Sequence, residues 1–270
     1  MNKLIAVVFV ILCSTNLQAQ NSIDSTGTGL QQIAKLIQED PTLEGRYEAD
    51  SLFTKALVQT LKNPYSFNIP LDSLVSVRLV TAPDNSFRIF TWQLDLEDGN
   101  YKQRGAIQIN TNNGSLKLLP LFDRSDKMEQ STKLVSNRKN WLGAIYYDII
   151  LTHHNNTNYY TLLGFDESNY ITSNKIIEVM HFENEEPVFG GDFFIYPPDE
   201  TYPKAPINRF IYTYKKGSNA YIRHEKENNA ILLSELSSTS NDLNAKSTLV
   251  PSGNEVYFVW KNGKWNMPNK

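Results

Sequence analysis

Four histidines are the residues best suited to metal chemistry, so their spacing matters first. His153 and His154 are adjacent, in a predicted loop between a strand that carries Asp148 and one that ends near Asp166. Neighbouring imidazoles on an extended backbone point to opposite sides, so they chelate one ion poorly. The other two histidines lie on separate predicted elements, at His181 and His224. The chain has no His-x-His or HExxH spacing, and we predict that it holds no metal.

Carboxylates cluster in two predicted turns, which raises the question of glycoside hydrolysis. That reaction needs two carboxyl groups about 5 to 10 Å apart in a cleft. Acidic side chains in exposed turns are instead solvated and repel one another. The two clusters are Asp95, Glu97 and Asp98, and Glu183, Glu185 and Glu186. A glycan hydrolase therefore stays an alternative that requires distant carboxylates to meet in the fold.

Motifs for nucleophilic catalysis and for nucleotide cofactors are missing from the sequence. There is no Gly-x-Ser-x-Gly, no Gly-x-Gly-x-x-Gly and no Walker lysine motif. The single cysteine, Cys13, lies in a segment predicted to be removed from the mature protein. We predict no catalytic residue, no cofactor-binding residue and no metal ligand.

Residues 1–19 have the features of a secretory signal peptide. Lys3 gives a positive start, residues 4–13 form a short apolar stretch, and small residues follow. A lipid-anchored precursor needs a small residue directly before its cysteine, and Cys13 has a leucine there. We expect cleavage near Ala19 and export to the periplasm, the cell surface or the medium.

The charge of the chain bears on its partners. The formal net charge is −3 at pH 7, and it becomes −4 when Lys3 is removed with the signal peptide. Such weak acidity does not attract phosphate backbones, so we expect no nucleic-acid partner. After the signal peptide no apolar run approaches the length of a membrane span. The sequence does not identify the partner, and a glycan and an envelope protein are the two candidates.

Residues 20–74 are predicted to form a helical region. Apolar residues recur at helical spacing over residues 30–37, before Pro41, and again over residues 46–62. Asn63-Pro64 ends the second run. We expect the two helices to form a hairpin that covers one face or one end of a sheet.

Residues 75–270 change to the period-two pattern of strands and are predicted to form one antiparallel β domain. Turn dipeptides such as Asp98-Gly99 separate alternating segments, as in a β-meander. Residues 236–254 are rich in serine and asparagine and are predicted to be a long surface loop. A weak repeat, RIFTW at 88–92 and RFIYTY at 209–214, indicates roughly three groups of strands.

Residues 140–182 are the apolar centre of this domain. Alternation over residues 141–152 predicts a strand that is buried on one face and partly covered on the other, and a polar run at 153–158 predicts the loop that follows. The fold class we predict is mainly β (α+β). It has an N-terminal helical hairpin followed by a curved antiparallel β-meander, either barrel-like or a partial propeller.

The C-terminal segment predicts a hairpin around Asn262-Gly263 that places Trp260 across from Trp265. An aromatic pair of this kind contributes on the order of 0.5 to 1 kcal/mol. Its main role is then to set the register of the strands. The same two rings could stack on a sugar, so a carbohydrate platform stays open as a second role.

Several segments of the chain resemble a family of exported bacterial proteins with a β-rich domain, to which no activity is assigned. These segments are NPYSF (63–67), PLDSL (70–74), PDNSFRIFTWQ (83–93), YKQRGAIQ (101–108), NWLGAIYY (140–147), YYTLLGFD (159–166), PVF (187–189) and KNGKW (261–265). The resemblance implies export and one nearly full-length domain. It supplies no catalytic or binding residue.

We therefore expect an exported cell-envelope or secreted protein that acts as a non-catalytic binding or interaction domain. The reason is that a large aromatic-rich sheet occurs without a reactive group of residues beside it. The first alternative is a glycan-directed hydrolase whose carboxylates meet only in the fold. The second is a structural component of the envelope.

Overall fold

The computed structural model describes residues 27–71, 74–128, 131–240 and 242–268. This part of the chain is mainly β, with two α-helices and three open sheets. The predicted signal peptide at residues 1–19 lies outside the described residues. Of the helices in the described ranges, none combines the length and the apolar character that a membrane span needs.

Two helices precede the sheets, as the apolar spacing predicts. Helix α1 spans Gly27–Glu39 and helix α2 spans Leu43–Leu61. Thr42 caps α2, because its hydroxyl oxygen accepts a hydrogen bond from the Gly45 amide at 3.0 Å. The cap explains why α2 begins three residues earlier than the apolar pattern alone indicates.

Three sheets contain the strands of the described residues. The first has the order β1 (Arg78–Thr81), β2 (Phe87–Asp95), β3 (Tyr101–Ile109) and β4 (Lys117–Phe122). The second contains β5 (Ser136–Asn137), β6 (Ile145–His154), β7 (Thr157–Asp166), β8 (Thr172–Glu183), β9 (Glu186–Phe189) and β11 (Phe210–Lys215). The third contains β10 (Phe194–Ile195), β12 (Ile222–Glu225), β13 (Ala230–Ser238), β14 (Leu249–Lys261) and β15 (Lys264–Asn266). These strands pair antiparallel, except that β10 and β15 are parallel.

The helices and the three sheets stack in that order, because alternate residues of a strand face opposite sides of its sheet. On β2, Phe90 packs with the helices, whereas Ile89 packs against the second sheet. On β8, Ile176 packs towards the first sheet, whereas Ile177 packs towards the third. The second sheet is thus covered on both faces, and polar groups on it must find partners inside the protein.

Strict alternation over residues 141–152 would put Tyr147 and Ile149 on one face and Tyr146 and Ile150 on the other, and the structure contradicts this register. The strand starts at Ile145, and its pairing with β7 shifts between Tyr146 and Asp148, where one extra residue is inserted. After the insertion Ile149 shares with Tyr146 the face that packs on the first sheet, and Ile150 shares with Tyr147 the face towards the third. A bulge of this kind cannot be read from alternation, since it interrupts the period of two.

Two segments predicted to be loops are largely strands. His153 and His154 extend β6, and the turn to β7 contains only Asn155 and Asn156, both with positive φ. The long loop predicted at residues 236–254 shortens to residues 239–248. One apolar residue at each end, Leu236 and Leu249, is buried in the third sheet's core, so the polar composition of the segment concealed two strand ends.

The C-terminal hairpin has the predicted register, and it also supplies a stability test. Trp260 pairs with Trp265, with ring centroids 5.4 Å apart. Trp265 is 0% exposed and its indole N–H donates to Thr161 Oγ1 at 2.8 Å, whereas Trp260 is only half-buried. The two rings of one pair therefore differ in what they contribute to the core.

We predict that Trp265→Ala lowers the free energy of unfolding by about 3 to 5 kcal/mol, because it leaves a cavity and an unpartnered hydroxyl. Trp260→Ala is the matched control, with an expected loss of about 1 kcal/mol. Urea unfolding followed by circular dichroism measures both values. Equal losses for the two variants would contradict this assignment.

Candidate functional site

The candidate site is a pocket of about 450 Å³ at one end of the second sheet, and we call it the hydroxyl pocket. Six serine and threonine side chains line it: Ser125, Ser131, Thr132, Ser168, Thr201 and Thr213. One carboxyl (Asp166), one amide (Asn174) and one ammonium (Lys246) line it as well. Residues from four separate parts of the chain thus bring hydrogen-bonding groups to one cavity.

Three neighbouring strands place the polar floor of this pocket. Asp166 on β7 pairs with Asn174 on β8, and Asn174 pairs with Thr213 on β11. Directly opposed side chains on one face of a sheet lie next to each other. Thr213 Oγ1 donates to Asn174 Oδ1 at 2.7 Å, and Asn174 Nδ2 lies 3.5 Å from Asp166 Oδ2. The row of polar groups is therefore set by strand register.

Asp166 is the acidic member of the pocket. Gln103 Nε2 donates to its Oδ1 at 3.0 Å, and the amide of Ser168 donates to the same oxygen at 3.3 Å. Burial raises the pKa of the Asp166 carboxyl, and the charge of Asp123 adds to the rise, against these hydrogen bonds. Gln103 is 3% exposed, and its Oε1 has no hydrogen-bond partner in the described residues.

The rim of the pocket is held by Arg209, whose side chain is 0% exposed. Its Nε donates to Glu178 Oε1 at 2.6 Å, and its two terminal nitrogens donate to the Ser131 carbonyl and to Ser136 Oγ. The amide of Asn208 donates to the Thr132 carbonyl at 2.7 Å. The two residues directly before β11 thus fix the segment that carries Ser131 and Thr132.

Glu178 completes a buried polar chain below this rim. Tyr146 donates its hydroxyl to Glu178 Oε2 at 2.6 Å, and Trp141 Nε1 donates to the Tyr146 oxygen at 2.9 Å. Burial raises the pKa of Tyr146 well above its usual value, so this hydroxyl stays protonated. In the sequence, this buried polar network is marked by a single glutamate, Glu178, inside the apolar run of β8. We did not single out this residue from the sequence alone.

Lys246 and Tyr202 line the pocket from loops outside the three strands of the floor. Lys246 Nζ donates to the carbonyls of Glu200 (2.8 Å) and Leu243 (3.3 Å). Burial lowers the pKa of Lys246 and raises the pKa of Tyr202 to about 12. Tyr202 also lines a second cavity, so residues 197–203 form a wall between two clefts.

This second cavity has a volume of about 690 Å³, and we call it the acidic cleft. Three carboxylates line it together with Tyr257: Asp199, Glu235 and Glu255. Asp199 Oδ1 accepts hydrogen bonds from the amide and hydroxyl of Thr201. Hydrogen bonds from Tyr221 and Arg223 lower the pKa of Glu255. A general acid needs the opposite shift.

The four histidines have four different partners in the structure. His153 Nδ1 lies 2.8 Å from Asn158 Oδ1, and the ring of His154 lies against Gly263. His181 pairs with a glutamate and His224 with an asparagine. Among the described residues, neither Asp148 nor Asp166 forms a hydrogen bond or an ion pair with His153 or His154. In these ranges no group of three or more His, Cys, Asp or Glu could hold a metal ion.

The acidic turn clusters also lie outside both clefts. Glu97 pairs with Arg46, and the second cluster pairs with neighbouring bases. Those pairs are His181–Glu183, Lys117–Glu185 and Arg138–Glu186. Trp265 cannot form part of a carbohydrate platform with Trp260, because its ring is fully buried.

We predict that Arg209→Met destabilises the protein by about 3 to 5 kcal/mol, because it leaves the Glu178 carboxylate buried without its ionic partner. The control is Arg223→Met, which breaks an exposed pair with Glu255 and is expected to cost less than about 1 kcal/mol. Urea unfolding measures both. A loss below about 1 kcal/mol for Arg209→Met would show that the buried pair is not a structural requirement.

The pKa of Asp166 gives a second prediction. A carboxyl whose folded pKa is raised binds its proton more tightly in the folded state, so its stabilising contribution is full below the ordinary pKa of 3.8 and is lost as pH rises through the folded pKa. The free energy of unfolding of wild type minus that of Asp166→Asn should therefore fall over about pH 3 to 6.

Asp84→Asn is the control for this experiment. Burial alone would raise the pKa of Asp84, but hydrogen bonds from Ser86 and Tyr160 outweigh it and the pKa is lowered. The corresponding difference for Asp84→Asn should rise with pH over the same range. Slopes of the same sign for both variants would contradict the assignment.

Comparisons of the chain with protein-family models, with curated proteins and with solved structures found no match. The resemblance to exported bacterial proteins therefore remains a prediction, and the function has to be argued from the geometry of the two clefts.

Proposed function

We propose that this chain is an exported, non-catalytic binding protein of the cell envelope or the medium, and that it binds a saccharide in the hydroxyl pocket. One observation carries the proposal: six serine and threonine side chains, an amide and a carboxyl from separate segments line a single cavity. Export is argued from residues 1–19 of the sequence.

Saccharides suit this lining because each sugar hydroxyl both donates and accepts hydrogen bonds. Asp166 offers acceptor oxygens and Asn174 offers both kinds of group. The hydroxyls of Ser125, Thr201 and Thr213 donate to protein acceptors, and their oxygens can still accept from a ligand. Ile176 and Ile211 add apolar surface for the C–H faces of a sugar ring. Pockets for small ligands combine apolar walls with a few placed polar groups in this way.

The shape of the polar floor also supports binding. Asp166, Asn174 and Thr213 are held by β-ladder pairing and by contacts with one another. The Ser131 and Thr132 side of the pocket is held by the hydrogen bonds of Asn208 and Arg209. A ligand that binds groups already in position avoids much of the entropy cost of ordering them.

Glycan hydrolysis is the second candidate, and the raised pKa of Asp166 favours it. A general acid needs such a shift. Hydrolysis also needs a second carboxyl about 5 to 10 Å away in the same cleft. Of the described residues that line the hydroxyl pocket, Asp166 is the one carboxylate. Asp123 acts on it electrostatically, but its own oxygens accept from Gln103 and Ser125.

We also propose that the three sheets are successive units of a partial propeller. Support comes from their face-to-face packing, since one apolar cluster joins the first and second sheets and another joins the second and third. The helical hairpin covers the outer side of the first unit through Phe53 and Phe90. A covered end of this kind replaces the neighbouring blade that a closed propeller provides.

The binding proposal is tested by isothermal titration with neutral hexasaccharides of glucose, mannose, galactose and N-acetylglucosamine. We expect Asp166→Asn to weaken binding of the preferred sugar by about tenfold to a hundredfold, because hydrogen bonds to a charged group contribute about 1.5 to 3 kcal/mol. Asp192→Asn, which alters an exposed ion pair with Lys264, is the control and should bind as wild type does.

Product analysis after prolonged incubation separates the two candidates. Intact hexasaccharide recovered from wild type supports binding without catalysis. Shortened products that disappear in Asp166→Asn would overturn the non-catalytic proposal in favour of hydrolysis. Absence of binding to every sugar, acidic ones included, would overturn the saccharide proposal altogether.

A further inference from the structure

The ammonium group of Lys246 is the one cation that lines the hydroxyl pocket in the described residues. An ammonium carries three N–H donors. Two of them are used by backbone carbonyls, those of Glu200 and Leu243. Within the described ranges no carboxylate forms an ion pair with Lys246, so its charge is held in place by neutral acceptors. The third donor is left for a group that these residues do not supply.

The neighbouring charges do not neutralise this ammonium. Asp199 and Glu200 attract it and Lys204 repels it, but burial outweighs them and the pKa of Lys246 is lowered. A partly buried cation without a paired anion favours an anionic ligand that can take the place of lost water. The carboxyl of Asp166 in the same pocket has its own neutral donors, Gln103 and Ser168.

We infer that the ligand of the hydroxyl pocket is an acidic saccharide, of the uronic acid type, whose carboxylate pairs with Lys246. This inference rests on the saccharide proposal and deepens it. The sugar hydroxyls take the polar row of Asp166, Asn174 and Thr213, while the carboxylate takes the third donor of the lysine. A uronic acid carries one carboxylate and several hydroxyls on one ring, and an oligomer carries them on adjacent rings, so its groups match one lysine beside a row of neutral and acidic hydrogen-bonding groups.

The test uses pairs of oligosaccharides with the same sugar backbone, in which one member carries carboxylates and the other is neutral. Hexagalacturonate is compared with its methyl ester, and oxidised cellohexaose, which carries glucuronate, with cellohexaose itself. We expect wild type to bind the acidic member of one pair about tenfold more tightly, because a charge-assisted hydrogen bond adds about that much. The preference should weaken as salt is raised, whereas the affinity for the neutral member should not.

Lys246→Gln and Lys246→Arg are the variants. Lys246→Gln should lose most of the preference for the acid and change the affinity for the neutral member far less, while Lys246→Arg, which keeps the charge, should retain a preference. Melting temperatures show whether both variants fold.

The outcomes separate the two proposals. Equal affinity of wild type for both members of each pair would overturn the acidic ligand and leave the saccharide proposal standing. An acid preference that survives Lys246→Gln would overturn the assignment to this lysine. Binding of neither member of any pair, together with none of the neutral hexasaccharides, would overturn both proposals.

Discussion

The ion pair between Glu178 and Arg209 is the constraint on which the second sheet and the hydroxyl pocket both depend. Both side chains are 0% exposed, in a sheet that is covered on its two faces. Charges without water are tolerated only where partners satisfy them. Glu178 therefore accepts from Arg209 and Tyr146, and the guanidinium donates to three different residues. These bonds allow one relative position of β8, β11 and the segment before β5.

The pocket follows from that position. Its floor is a cross-strand row on β7, β8 and β11, and its rim is the segment that Arg209 and Asn208 hold. The pocket's polar groups are thus fixed by bonds that do not involve a ligand. A site supported in this way keeps its geometry when empty, because its floor is anchored to paired strands and its rim is tied to the buried Arg209.

Local signals in the sequence predicted much of the fold, and non-local contacts account for most of the rest. Asn262-Gly263 is a turn dipeptide that sets register by itself, and its hairpin formed as expected. Asp98-Gly99 also lies in the turn of its hairpin, but Asp95 pairs with Tyr101, a register that a two-residue loop at 98 and 99 would not give. The bulge after Tyr146 escaped prediction because an inserted residue leaves no compositional mark. The sequence predicts Asp166 near the end of the strand that follows His153 and His154, but it does not predict the contacts of this residue. Its actual partners, Gln103 and Asn174, lie on other strands, so sheet order had to be known first.

Neutral partners explain why the pocket stays open between two opposite charges. If Asp166 and Lys246 met directly, their attraction in a partly buried setting would draw the second and third sheets' loops together and fill the space. Instead the carboxyl accepts from an amide side chain and a backbone N–H, and the ammonium donates to two carbonyls. Each charge is held by neutral dipoles and not by the opposite charge. The cavity between them keeps hydrogen-bonding capacity that only a bound molecule or water can use.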